Sequence, residues 1–111
     1  MDIGRFSVSL AVKDIATSKA FYETLGFVAE PDCGSIQDKW LIMTHGTTHI
    51  GLFEGMFEDN ILTFNPTDAR AIEQTIKEAG YHIDKPTEGT DGPTHFVLSD
   101  PDGNRIMFDQ F

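Results

Sequence analysis

Residues 14–27 read Asp14-Ile15-Ala16-Thr17-Ser18-Lys19-Ala20-Phe21-Tyr22-Glu23-Thr24-Leu25-Gly26-Phe27. Asp14 is a residue type that caps helix N-termini, and Gly26 supplies the left-handed stop at the far end. Between them Ser18, Phe21, Tyr22 and Leu25 fall at i, i+3, i+4 and i+7, which predicts one amphipathic helix with that face on a core. Ahead of it, residues 5–12 alternate Phe6, Val8, Leu10 and Val12 with small side chains, the period of a strand with one buried face. Beyond it come strand-like runs at residues 27–31, 39–44 and 48–54. Asp32-Cys33-Gly34-Ser35 and His45-Gly46-Thr47 read as the turns between them. The order is β-α-β-β-β.

The same order recurs. Residues 61–65 read as a strand, Thr67 or Asp68 as a cap, and Ala69, Ile72, Ile76 and Ala79 as one face of a second helix that Gly80 ends. Strands are expected at residues 81–85, 95–99 and 105–110, the last two joined by the turn Asp100-Pro101-Asp102-Gly103. Asp14 and Asp68, Gly26 and Gly80, and Phe27 and Tyr81 are each separated by 54 positions. One register therefore fits three landmarks, and the chain reads as a single α+β domain over residues 1–111, made of two βαβββ modules at about 1–56 and 57–111. Neither module can easily bury its own sheet face, so the two are expected to associate and enclose a concavity suited to a ligand.

Composition narrows the partners. With 8 Lys and Arg against 18 Asp and Glu, the formal charge of −10 repels phosphate backbones and anionic lipid, so neither nucleic acid nor membrane is an expected partner. No apolar run approaches the roughly 20 residues of a membrane span, and no leader pattern precedes Arg5, which fits a soluble cytoplasmic protein. Cys33 is the single cysteine, so no intramolecular disulfide or thiolate cage can form.

Ser9-Leu10-Ala11-Val12-Lys13-Asp14-Ile15, then Ser18, Phe21-Tyr22 and Leu25-Gly26-Phe27, resemble the opening signature of the vicinal oxygen chelate superfamily, the glyoxalase, bleomycin-resistance and dioxygenase-like proteins. Ser99-Asp100-Pro101-Asp102-Gly103-Asn104 resembles its closing turn. The resemblance implies a mixed curved sheet around a cleft and a tendency to form homodimers. In the metalloenzymes of the family it also implies His and Glu ligands around a divalent Lewis acid. The position that usually carries the first His is Ser7 here, and its counterpart 54 residues on is Ile61. The usual Glu of the closing strand is Met107, whose thioether suits hard divalent ions poorly, and the first-module counterpart is either Gly51 or Phe53. No metal and no other cofactor is therefore expected.

Alternation turns Ser7, Ser9 and Ala11, then His49, Gly51 and Phe53, toward the cleft from the first module, with Trp40 or its neighbours Leu41 and Met43 closing one end. The second module turns Ile61, Thr63, Asn65, His95, Val97, Ser99, Met107 and Asp109 inward. Ser7, Ser9, Trp40, His49, Phe53, Ile61, Thr63, His95 and Met107 are the expected contacts to a small, partly apolar molecule, although an apolar second core would use the same side chains. Asp100 and Asp102 belong to the turn. His49 and His95 are the candidates for acid–base chemistry, with Asp109 to orient one of them, and those three side chains are also a conceivable displaced metal site. Two functions follow. The first is a metal-free binding protein of this superfamily; the alternative is a glyoxalase-related lyase or other enzyme that uses a displaced metal or a His-dependent mechanism.

Overall fold

The computed structural model describes all 111 residues. They form seven strands and two helices and divide into two compact units, Ser7–Asn60 and Met1–Phe6 with Ile61–Phe111.

In the first unit the elements are β1 (Arg5–Val12, which begins two residues before the unit does), α1 (Ile15–Thr24), β2 (Val28–Ser35), β3 (Trp40–His45) and β4 (Thr48–Glu54). The strands lie in the order β2-β3-β4-β1, with β1 and β4 parallel and the other pairs antiparallel. α1 covers one face of this sheet. Ile15, Leu41, Met43, Ile50 and Leu52 are buried under it, and Leu10, Val12, Tyr22 and Phe27 pack around them.

Two expectations for this unit need correction. Phe21 and Leu25 keep 59% and 55% of their surface exposed; of the expected face Tyr22 does pack on the core, and Ile15 joins it in their place. Phe21 touches Tyr22 edge-on from outside. Periodicity could not choose between these stripes, because both are spaced at i, i+3 or i+7 and only the sheet decides which one it meets. The second correction is at Asp32-Cys33-Gly34-Ser35, which is not a turn. β2 continues through it to Ser35, with Asp32 and Gly34 at φ +60° and +84° and a register shift between Ala29 and Gly34. It is a bulge that keeps the strand paired with β3.

The second unit carries β5 (Ile61–Asn65), α2 (Ala69–Glu78), β6 (Thr94–Ser99) and β7 (Arg105–Gln110), ordered β5-β7-β6, with β5 and β7 parallel. Ala69, Ile72, Phe96 and Phe108 form its core beneath α2. A ladder of rings, Phe6 to Phe64 to Phe108 to Phe96, crosses the sheet at centroid spacings of 5.1, 5.3 and 4.9 Å. The expected helix face is met by Ala69, Ile72 and Ile76, but Ala79 is exposed and the buried neighbour is Glu73.

The expected strand at residues 81–85 is absent, and the stretch that follows it is held by α2, first at Glu73. Its carboxylate accepts from the Thr87 amide at 2.8 Å and the Thr87 hydroxyl at 2.7 Å, while Arg70 donates to the carbonyls of Glu88, Gly89, Asp91 and Gly92. The segment is tied to α2 as a loop. Asp84 and Lys85 alone bond to the backbone of β6, both amides donating to the Val97 carbonyl and the Val97 amide to that of Lys85, and Pro86 beside them has no amide hydrogen with which to extend a ladder.

The repeat is otherwise kept to single hydrogen bonds. Asp14 accepts from the Thr17 amide and Asp68 from the Ala71 amide, which settles the second cap as Asp68. At the far ends the Phe27 amide donates to the Tyr22 carbonyl and the Tyr81 amide to the Ile76 carbonyl. Each helix also has its first amide held by the last strand of its own unit, Ile15 by Glu54 and Ala69 by Gln110. Glu54 has a second partner, the Lys39 ammonium.

These contacts make the fold sensitive to acid. The Lys39 hydrogen bond, then the Ile15 amide, hold Glu54 below its ordinary value of 4.5. The Asn104 side chain, then the Asn104 amide, hold Asp100 below 3.8 in the closing turn. Both values are lowered on folding, so each contribution is complete above the ordinary value and disappears as pH falls through the lower folded one. Acid unfolding followed by circular dichroism should accordingly set in below about pH 4, and Glu54→Gln or Asp100→Asn should flatten that part of the profile.

Candidate functional site

Alternation along the strands leaves one sheet face of each unit without a helix of that unit. In Ser7–Asn60 the side chains opposite the α1 core are Ser7, Ser9 and Ala11 on β1, Trp40, Ile42 and Thr44 on β3, and His49, Gly51 and Phe53 on β4. Trp40 and Phe53 are directly paired across the strands and their rings lie nearly parallel, 10° apart at 6.2 Å. Phe57, from the loop after β4, meets Phe53 at 5.3 Å. The three rings are half-buried.

Gly51 makes room for them. A Cβ there would sit 2.5 Å from the edge of the Phe53 ring and 3.2 Å from the Ile42 methyl, so the ring lies over the backbone where a larger residue would lift it. Ser7 and Ser9 are covered, at 7% and 3% exposure, and no buried side-chain nitrogen or oxygen lacks a hydrogen-bond partner. His49 is half-buried and paired across the strands with Thr44.

In the other unit Ile61 and Thr63 are buried at 9% and 5%, and Thr63 pairs with Met107. His95 lies directly across from Asp109, and Val97 from Met107. Lys85 places its ammonium 2.9 Å from His95 Nε2. Burial raises the Asp109 carboxyl above the usual carboxylate range, with the nearby His95 pulling in the opposite direction.

Strand register resolves an alternative that the sequence left open. Ser9 pairs with Gly51, and Thr63, which is 54 residues on, pairs with Met107. The helix-holding residues Glu54 and Gln110 are 56 apart, as are Gly51 and Met107. Gly51, not Phe53, is therefore the counterpart of Met107. The four inherited ligand positions are Ser7, Gly51, Ile61 and Met107. Together they offer one hydroxyl and one thioether, a donor set that does not fit a divalent ion. No three His, Cys, Asp or Glu side chains are grouped as metal ligands, His49, His95 and Asp109 included.

Two residues escaped the sequence reading. Phe57 lies in the linker between the modules, and its signal is an aromatic ring in a loop otherwise rich in acids. Lys85 was placed in a strand; the useful sign was Pro86, which keeps the preceding residue extended and leaves a lone cation among acidic neighbours.

Comparison with known proteins agrees with this fold. Residues 4–108 match the Glyoxalase/Bleomycin resistance protein/Dioxygenase superfamily, and the chain belongs to that family. A superfamily member from Vibrio splendidus 12B01 superposes with a TM-score of 0.76 at 19% identity, over 96% of this chain and 98% of that one. Methylmalonyl-CoA epimerase from Mycobacterium tuberculosis gives 0.70 at 13% identity, over 99% and 91%. Homoprotocatechuate 2,3-dioxygenase from Arthrobacter globiformis gives 0.62 at 19% identity, over 95% of this chain and 36% of that one. At such identities the likeness is one of fold. No curated protein matches the chain. No helix is long and apolar enough to cross a membrane.

Proposed function

We propose that this chain is a binding protein of the superfamily that holds a small, partly apolar molecule without the inherited metal. The observation that carries the reading is the group of Trp40, Phe53 and Phe57 on the helix-free face of the first unit, with Gly51 beneath Phe53. Half-buried rings stacked in this way present a flat apolar surface that a planar ligand can extend by stacking. A homodimer in the cytoplasm remains part of the proposal, and a strictly monomeric mass in solution would remove the dimer from it.

Trp40 is the single tryptophan and reports on this surface. Titration with 2-naphthol should quench its fluorescence saturably. Phe53→Ala should weaken that binding by about tenfold, the loss of one stacking contact and its buried area. Quenching that is linear in probe, or unchanged in the variant, would sink the reading.

A second reading, a His-dependent enzyme, is favoured by one observation, the hydrogen bond from Lys85 to His95 opposite Asp109. Turnover of a hemithioacetal that is lost in His95→Ala while folding is retained would establish it, with His49→Ala as the companion variant.

A further inference from the structure

The chain contains two Asp-Gly pairs, Asp91-Gly92 in the loop tied to α2 and Asp102-Gly103 in the closing turn. An aspartate followed by glycine can close on itself, because the glycine nitrogen reaches the side-chain carboxyl unhindered by a neighbouring Cβ. Both pairs are exposed, both glycines have left-handed φ, +77° and +87°, and neither has an atom within 4 Å of an added carbon. Backbone shape and space therefore do not separate them. Hydrogen bonding does.

The nucleophile in such a closure is the amide nitrogen once it has given up its hydrogen, and the charge then spreads onto the carbonyl oxygen of the same peptide. In the Asp91–Gly92 peptide that oxygen accepts from Arg70 Nη2 at 3.0 Å, while the Gly92 amide donates to no group. The guanidinium is half-buried and is also held by the carbonyls of Glu88, Gly89 and Gly92. It is thus a fixed positive charge at the atom where negative charge develops. The Asp102–Gly103 peptide is built oppositely. Its Gly103 amide donates to the Asp100 carbonyl at 3.0 Å and lies beside the Asp100 carboxylate, which the Asn104 side chain above all holds below the ordinary carboxylate range. A committed amide next to an anion resists becoming one itself.

We propose that Asp91 is a site of spontaneous covalent isomerisation, with Arg70 as the residue that promotes it. The Gly92 nitrogen bonds to Asp91 Cγ; its hydrogen and the carboxyl hydroxyl leave together as water, and the product is a cyclic succinimide. Water then opens the ring at either carbonyl, so no atom is gained or lost overall. Opening at the former backbone carbonyl yields isoaspartate, in which the chain runs through Cγ and the old peptide carbonyl becomes a free α-carboxylate. Arg70 already sits on one oxygen of that group, so a neutral contact becomes an ion pair.

The intact chain, aged near neutral pH in water enriched in heavy oxygen and then digested in ordinary water, tests this. Each ring opening leaves one heavy oxygen in the peptide, and chromatography separates isoaspartyl from aspartyl forms. Peptides holding Asp91 should take up label about tenfold faster than those holding Asp102, the value of one charge-assisted hydrogen bond. In concentrated urea the two rates should converge, since both peptides lose their partners. Arg70→Gln should slow the reaction at Asp91 severalfold in the folded chain and leave Asp102 unchanged. A clasp that merely restrains the loop predicts the reverse, a faster reaction once it is gone. Equal rates in the folded chain, no label at Asp91, a difference that persists in urea, or acceleration in Arg70→Gln would each overturn the proposal. The comparison of folded with urea-unfolded protein uses the parent chain alone, so the outcome does not depend on how the variant folds.

Discussion

Phe96→Ala is expected to lower the unfolding free energy by about 3–5 kcal/mol, a cost typical of a fully buried ring replaced by a methyl group. Phe96 has no exposed surface and stacks on Phe108 at 4.9 Å, which in turn stacks on Phe64. Its loss removes transferred apolar area, leaves a void that β6 and α2 can only partly close, and ends the ladder of rings. Set against the 5–15 kcal/mol that holds an ordinary domain together, this is a large fraction. Urea unfolding should show the midpoint falling with an unchanged slope. Phe21→Ala is the matching control. Phe21 is 59% exposed, so its replacement should cost about 0.5 kcal/mol or less. Similar costs for the two variants would mean that the core is not where the structure places it.

Gly34→Ala is the second large effect, expected at about 2–4 kcal/mol. Two terms add. A non-glycine residue at φ +84° costs roughly 1 kcal/mol, and forcing atoms into filled space costs about 1–3 more. The added Cβ would lie 2.2 Å from the Trp40 carbonyl oxygen and 2.9 Å from Leu41 Cα, both backbone atoms of β3 that no rotamer change can move aside. Either the bulge leaves β3 or β3 shifts and carries Trp40 with it. Gly46→Ala separates the terms, because Gly46 has φ +59° with nothing within 4 Å of the added carbon. It should cost only the strain, about 1 kcal/mol. A shift in Trp40 emission in the Gly34 variant and none in the Gly46 variant would place the clash at β3. Equal costs would refute it.

Both variants test positions where local pattern and tertiary contact give different answers. Phe21 and Phe96 are equally apolar as letters, yet one is outside and the other inside. The stretch Asp32-Cys33-Gly34-Ser35 has the composition of a turn, and the backbone does adopt turn-like φ values at two of its residues. Pairing with β3 is nevertheless resumed at Gly34 and Ser35. Glu73 sits on a helix face where a charged residue predicts solvent, and is buried because Thr87 meets its carboxylate.

For the site, alternation assigns side chains to the two faces of each sheet, since successive strand residues must point oppositely, yet Phe6 and Leu62 on the expected core side keep 44% and 37% of their surface exposed. It could not say which neighbours would touch. The stacking of Trp40 on Phe53, the approach of Phe57 and the reach of Lys85 to His95 all depend on strand register or loop path. The choice between Gly51 and Phe53 was of the same kind, because a strand read alone carries no information about the partner against which it is counted.

What the sequence determined by itself was the repeated module. Caps, helix lengths and glycine stops are encoded within a few residues, so Asp14 and Asp68 start helices that run over Ile15–Thr24 and Ala69–Glu78 at the same offset of 54. It also determined that the family's ligand positions hold no chelating set, which follows from residue identity alone. Only the tertiary structure decided which helix stripe is buried, that residues 81–85 meet the sheet at Asp84 and Lys85 without forming a strand, and which side chains on the open faces meet. Those outcomes depend on contacts between segments far apart in the chain, and local spacing does not encode them.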